Sequence, residues 1–241
     1  MPTFVNGPIQ LHYDIEGAGY PILLLAPGGM RSHNDMWGNM PWNPRAALRD
    51  RYQLLGMDQR NAGRSVAPIT GRDTWSSYAS DQLALLDHLG VDECHVLGMC
   101  IGGPFILKLL TMAPSRFRSA VLLQPAGVDT TNQPLREMFD QWAEAAAPNH
   151  PEASAADFAS FGERMWGGDF VLSVTRDEVA ACRTPMLVMM GNDQYHPQSL
   201  SREIAALAPD VTFVEQWKEP EFLDQTDATI KQFLAEHTPS R

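Results

Sequence analysis

The 241-residue chain reads as an α/β protein, a mainly parallel twisted sheet with helices on both faces and a small helical insertion. Three observations predict this. Apolar runs alternate with stretches of helical periodicity, the pattern of βαβ units. Several of those runs, at 22–26, 52–57 and 185–190, are apolar almost throughout, as strands covered on both faces must be. One further run breaks at Gly98 into a short glycine-framed turn, and a helical stretch follows at once.

Taken in order, residues 4–5 and 9–15 flank Asn6-Gly7, a short hairpin signal. The second run alternates apolar and polar, as a half-exposed strand does. Residues 22–26 form a buried strand that ends at Pro27-Gly28-Gly29, where a loop carrying Arg31, Ser32, His33, Asn34 and Trp37 begins. The strand at 52–57 runs into the polar loop 58–65. Residues 75–89 form a helix with Ala79, Leu83, Leu86 and Leu89 on one face. A strand from Cys94, a helix over 105–112 and a strand over 118–124 follow. Residues 127–184 break the alternation with Pro148, Pro151 and many aromatics, and read as a helical insertion or lid on a core of 1–126 and 185–241. A strand at 185–190 leads to Gly191-Asn192-Asp193, then a helix over 199–207 with Ser199 or Ser201 as cap. The strand 211–214 and a helix over 225–236 close the chain.

Composition narrows the partners. The formal net charge is −11 with no Lys/Arg cluster, which argues against nucleic acid and anionic membranes and leaves a small-molecule substrate. Three cysteines, an odd number, make no disulfide framework, so a cytoplasmic setting is expected. Residues 1–6 lack the basic start and apolar core of a signal peptide, and no apolar run is long enough to span a bilayer. No metal or cofactor is called for. Oligomeric state is not fixed, and a homodimer remains open.

The chemistry centres on Gly98-Met99-Cys100-Ile101-Gly102. A nucleophile on a sharp strand-to-helix turn needs neighbours without bulk two places to either side. The helix N-terminus beyond it offers free N–H groups and positive potential, which favour thiolate. A free cysteine is ordinarily a buried packing residue; Cys94 and Cys182 are read that way, and Cys100, inside the glycine frame, as a nucleophile.

In this order of motifs the chain resembles an α/β-hydrolase over nearly its whole length. Gly98 to Gly102 matches the family's G-x-nucleophile-x-G, with Cys where most members carry Ser, similar to the dienelactone-hydrolase branch. Pro27-Gly28-Gly29 falls at the family's oxyanion loop, so the resemblance implies the N–H groups of Gly29 and Ile101 as oxyanion donors. The stretch 58–65 is similar to the family's D-x-R-G-x-G-x-S, with Asn61 in place of a glycine. Asp193 sits where the family carries its acid. The family's histidine, however, belongs after the last strand, and residues 215–222 contain none.

A base must then come from elsewhere. His12, His88 and His95 fall in regular elements and read as packing or surface residues, and His150 lies in the insertion. His33 and His196 lie on loops that face the elbow, since sites in such sheets form at the carboxyl ends of the strands. His196, three residues beyond Asp193, is the expected base, with His33 as the other candidate; triads are defined by geometry and not by chain order. Lys218, near the vacant histidine position, reads as a solvated surface residue without a role. His33, Met99 and Trp37 are expected to line the substrate pocket. The leading function is a hydrolase or acyltransferase that attacks an ester, lactone or thioester with Cys100 through an acyl-enzyme. The competing readings are a degenerate ligand-binding protein and cofactor-free lyase, isomerase or oxygenase chemistry on the same fold.

Overall fold

A computed structural model describes residues 2–240; Met1, the first residue of the stretch examined for a signal peptide, lies outside them. The strands are β1 (Thr3–Asn6), β2 (Ile9–Glu16), β3 (Tyr20–Leu25), β4 (Tyr52–Met57), β5 (Cys94–Cys100), β6 (Phe117–Pro125), β7 (Met186–Met189) and β8 (Val211–Val214). They form one sheet in the order β1-β2-β4-β3-β5-β6-β7-β8. β1 and β2 pair antiparallel across Asn6-Gly7, and β2 joins β4 antiparallel. From β4 to β8 every pairing is parallel. The central strands are buried over most of their length, because helices cover both faces.

The helices are α1 (Pro44–Leu48), α2 (Trp75–His88), α3 (Gly102–Met112), α4 (Gln133–Ala146), α5 (Ala155–Trp166), α6 (Arg176–Ala181), α7 (Gln198–Leu207) and α8 (Leu223–His237). None is long and apolar enough to cross a membrane. One core packs Tyr78, Phe105, Phe161 and Trp166 on the face that carries α2, α3, α4, α5 and α7. The other packs Trp37, Leu48, Trp217 and Phe233 on the face that carries α1 and α8. Each such side chain contributes about 1.5–3 kcal/mol through burial.

α1 begins at Pro44, beyond the loop that follows β3, and is capped by Asn43, whose Oδ1 accepts the Arg45 N–H at 2.9 Å. One local expectation is corrected. Neither Ser199 nor Ser201 caps α7, which starts at Gln198 after Pro197. Ser201 is instead fully buried, and its hydroxyl accepts the Gly191 N–H at 3.2 Å, tying α7 to the loop after β7.

The loop 58–65 is a brace for the neighbouring loops. The Asp58 carboxylate accepts the N–H groups of Asn34 and Arg64, each at 2.9 Å. The Ser32 hydroxyl donates to the Ala26 carbonyl at 2.7 Å, and the Gln59 N–H to the Ser32 carbonyl at 3.0 Å. Asn61 holds φ at 58° where the family pattern has glycine, and its side chain accepts the Ala67 N–H at 2.8 Å. Asn tolerates that left-handed backbone better than most residues because it bonds locally. Behind the loop, Arg60 forms buried ion pairs with Asp81 and Asp73, both at 2.7 Å.

Candidate active site

Cys100 ends β5 with φ at 59°, a strained left-handed conformation for a residue with a side chain. The turn closes because its flanks are bare. A Cβ on Gly98 would lie 2.9 Å from the Gly102 Cα, and one on Gly102 would lie 2.6 Å from the Leu25 carbonyl oxygen. The Cys100 carbonyl accepts the Ala126 N–H at 2.9 Å, which anchors the elbow to the strand beside it. α3 then departs at Gly102 with its N-terminus beneath the thiol.

His196 and Asp193 come from the loop after β7. Their backbones exchange two hydrogen bonds, Asp193 N–H to the His196 carbonyl at 3.3 Å and His196 N–H to the Asp193 carbonyl at 3.1 Å. That tight turn puts the side chains together. His196 Nδ1 lies 2.8 Å from both Asp193 carboxylate oxygens, so Nδ1 carries a proton that it donates to the acid. The carboxylate also accepts the N–H groups of Tyr195 at 2.9 Å and His196 at 3.1 Å. Nε2 is buried with no partner of ordinary hydrogen-bond geometry, and the group it interacts with is the Cys100 thiol. Gly191 leaves room for the turn, since a Cβ there would lie 2.3 Å from the His196 carbonyl oxygen.

The protonation of the three groups follows from this packing. Burial pushes the Cys100 thiol up, but the close approach and charge of the His196 ring, with the N–H groups of Gly28 and Ile101, bring it below the ordinary thiol value. Burial pushes His196 down, yet its bond to Asp193 and its approach to the Cys100 thiol carry it up to about 9. The His196 hydrogen bond, against the opposing effect of burial, holds Asp193 at about 2. The directions favour a thiolate beside an imidazolium. The other thiols differ. Cys94 is fully buried and pushed up to about 12, chiefly by desolvation. Cys182 is half-buried at the opposite, N-terminal end of the sheet, beside Pro185 and Arg118.

Cys100, His196, Asp193 and Ile101 are thus brought together. Gly29 is adjacent, with φ at 59°, and the thioether of Met138 in α4 sits directly over its Cα. The N–H groups of Gly28 and Ile101 act on the Cys100 thiol and favour its thiolate. His33 donates Nδ1–H to the Arg31 carbonyl at 2.7 Å and lines a surface cleft of about 450 Å³ with Asn61, Gly63 and Trp142; Cys100 is not among its walls. Met99 and Trp37, expected at the pocket wall, have no exposed surface and pack into the core on the α8 face. Lys218 is not free in solvent: it is half-buried and donates to Gln124 Oε1 at 2.7 Å.

The family model described as alpha/beta hydrolase fold matches residues 21–165, more than half of the chain. A protein of Azorhizobium caulinodans named as a carbamate hydrolase, RutD, is 34% identical over 154 residues, 64% of this chain and 54% of that one. A RutD of Caulobacter vibrioides is 30% identical over 146 residues, 52% of its length. This chain therefore spans about half the length of these curated relatives. The carboxylesterase YbfK of Bacillus subtilis is 22% identical over 212 residues, covering 77% of this chain and 71% of that one. Among solved structures, a meta-cleavage product hydrolase from Pseudomonas fluorescens IP01 superposes with a TM-score of 0.72 at 17% identity, over 99% of this chain and 98% of that one. The enol-lactonase from Burkholderia xenovorans LB400 gives 0.71 at 22% identity, over 97% of this chain and all of the other. At those identities the two structures share the fold.

Proposed function

The chain belongs to the α/β-hydrolase fold family, and from that premise we propose that it is a thiol hydrolase of small-molecule esters, lactones or thioesters. One observation carries the reading: Cys100 sits on a strained, positive-φ elbow framed by Gly98 and Gly102, with the His196 imidazole, oriented by Asp193, against it. A decayed site has no reason to retain that strain or a buried imidazole. Relatives named as hydrolases of carbamates, carboxylic esters and enol-lactones support acyl chemistry without fixing the acyl group.

In the proposed cycle the Cys100 thiolate attacks the carbonyl carbon, and an S–C bond forms while the carbonyl π pair moves to oxygen. The N–H of Ile101, with that of Gly28 or Gly29, receives the oxyanion; one such donor is typically worth a hundredfold in rate. Collapse breaks the bond to the leaving group, which takes the proton from His196 Nε2. Water then attacks the thioester as His196 Nε2 accepts its proton, and the thiolate departs. Asp193 orients the ring and stabilises its charge. The insertion at 127–184 acts as a lid: Met138 covers Gly29 and must withdraw for a carbonyl oxygen to enter.

The test is a panel of 4-nitrophenyl esters followed by intact-mass and peptide mapping. The expected result is turnover with an acyl adduct on the peptide containing Cys100 alone. Turnover that persists in Cys100→Ala would overturn the reading.

A further inference from the structure

Lys218 lies on the segment between β8 and α8, where members of the fold carry their histidine, and its surroundings hold it firmly. The preceding residue, Trp217, is buried; its Nε1–H donates to the Met190 carbonyl at 2.8 Å and its carbonyl accepts the Thr226 hydroxyl at 2.7 Å. The Lys218 side chain then reaches Gln124 Oε1.

Gln124 is the bulged residue of β6. Leu123 pairs with Met99 and Pro125 with Cys100, so Gln124 is the extra residue opposite the nucleophile, with φ at 39°. Bulges of this kind re-aim a side chain next to a site. Adjacent strands lie about 4.8 Å apart, which places the Gln124 backbone one strand from the elbow. The partner it presents to Lys218 is neutral. A carboxylate there would cancel the cation, whereas an amide oxygen orients it and leaves its charge. Among the described residues no ion pair includes Lys218, while Lys231 is paired with Asp227 at 2.6 Å. An ammonium has three N–H donors, and Gln124 takes one. In a chain of net charge −11, a cation in no ion pair among the described residues, held by the residue opposite the nucleophile, is an attraction for an anion that the surrounding surface otherwise repels.

We propose that Lys218 is the specificity-determining cation of the Cys100 site, held by Gln124 to receive a carboxylate on the substrate. The inference rests on the thiol-hydrolase reading and narrows its substrates to negatively charged esters, lactones or thioesters.

The test compares two alkylating probes of equal size, iodoacetate and iodoacetamide, by their rates at Cys100 under mass mapping. Alkylation requires no turnover, and the charge of His196 is common to all variants. In Lys218→Met the iodoacetate-to-iodoacetamide rate ratio should fall about tenfold or more, the range for losing a charged hydrogen bond. Lys218→Arg should hold the ratio and Gln124→Glu should lower it. A parallel pair, 4-nitrophenyl hemisuccinate and 4-nitrophenyl acetate, should show the same loss of preference in Lys218→Met, through KM. A rate ratio within twofold of wild type in Lys218→Met, or an equal fall in Lys218→Arg, overturns the proposal. A wild-type protein that hydrolyses neither ester but shows the Lys218-dependent ratio retains the anion site and loses the hydrolase reading.

Discussion

Replacing His196 with alanine removes the group that opposes burial most strongly at Cys100. What remains on the sulfur is burial, which favours the neutral thiol, and the N–H groups of Gly28 and Ile101. The pH profile for alkylation of Cys100 by iodoacetamide should therefore move to higher pH, and the rate at pH 7 should fall about tenfold or more. The same substitution removes the proton donor for the leaving group, so ester turnover should fall by about 10²–10⁴, or about 3–5 kcal/mol in the barrier. Stability should change less. Asp193 loses its bond to the ring, but its side chain is 43% exposed and keeps the N–H groups of the turn. One such bond is worth under about 2 kcal/mol here, a fall of less than about 8 °C in Tm for a chain of this size. The assay is a stopped alkylation series from pH 5.5 to 10 beside a 4-nitrophenyl ester assay and a thermal melt. An unchanged profile in His196→Ala, with turnover within threefold of wild type, would refute the assignment of His196 as partner of Cys100.

Gly98→Val forces a branched side chain against the Gly102 backbone, where the Cβ alone would lie at 2.9 Å, and should cost about 3 kcal/mol or more. A melt within 2 °C of wild type, roughly half a kcal/mol by the usual scaling, contradicts the elbow. Iodoacetamide at neutral pH should modify Cys100 before Cys94, whose thiol is buried and pushed up to about 12; mapping that finds Cys94 first refutes this. Asp193 has a folded pKa of about 2 against an ordinary 3.8, so its stabilising effect is present above pH 3.8 and is lost as pH falls through 2. The Tm difference between wild type and Asp193→Asn should accordingly shrink from pH 5 to pH 2, and a constant difference would show that the carboxylate is not held by His196.

The sheet, its helices and the elbow were legible in the chain because each depends on neighbours in sequence. Strands buried on both faces must be apolar throughout, and 22–26 and 185–190 are. The turn at Cys100 needs bare positions two residues to either side, and Gly98 and Gly102 are written there. Asp193 and His196 could be named as candidates for the same reason, being three residues apart on one loop. Whether the ring would face its own acid and Cys100 at once was decided only by the tertiary structure, because the backbone exchange between residues 193 and 196 turns both side chains to one side while Gly191 makes room behind them. Lys218 is the furthest case. Ninety-four positions separate it from Gln124, and a bulge in β6 aims that amide. No local pattern encodes a hydrogen bond across that distance, so only the packing of β6 beside β5, and of Trp217 beneath the sheet ends, converts an ordinary lysine into a held cation beside the nucleophile strand.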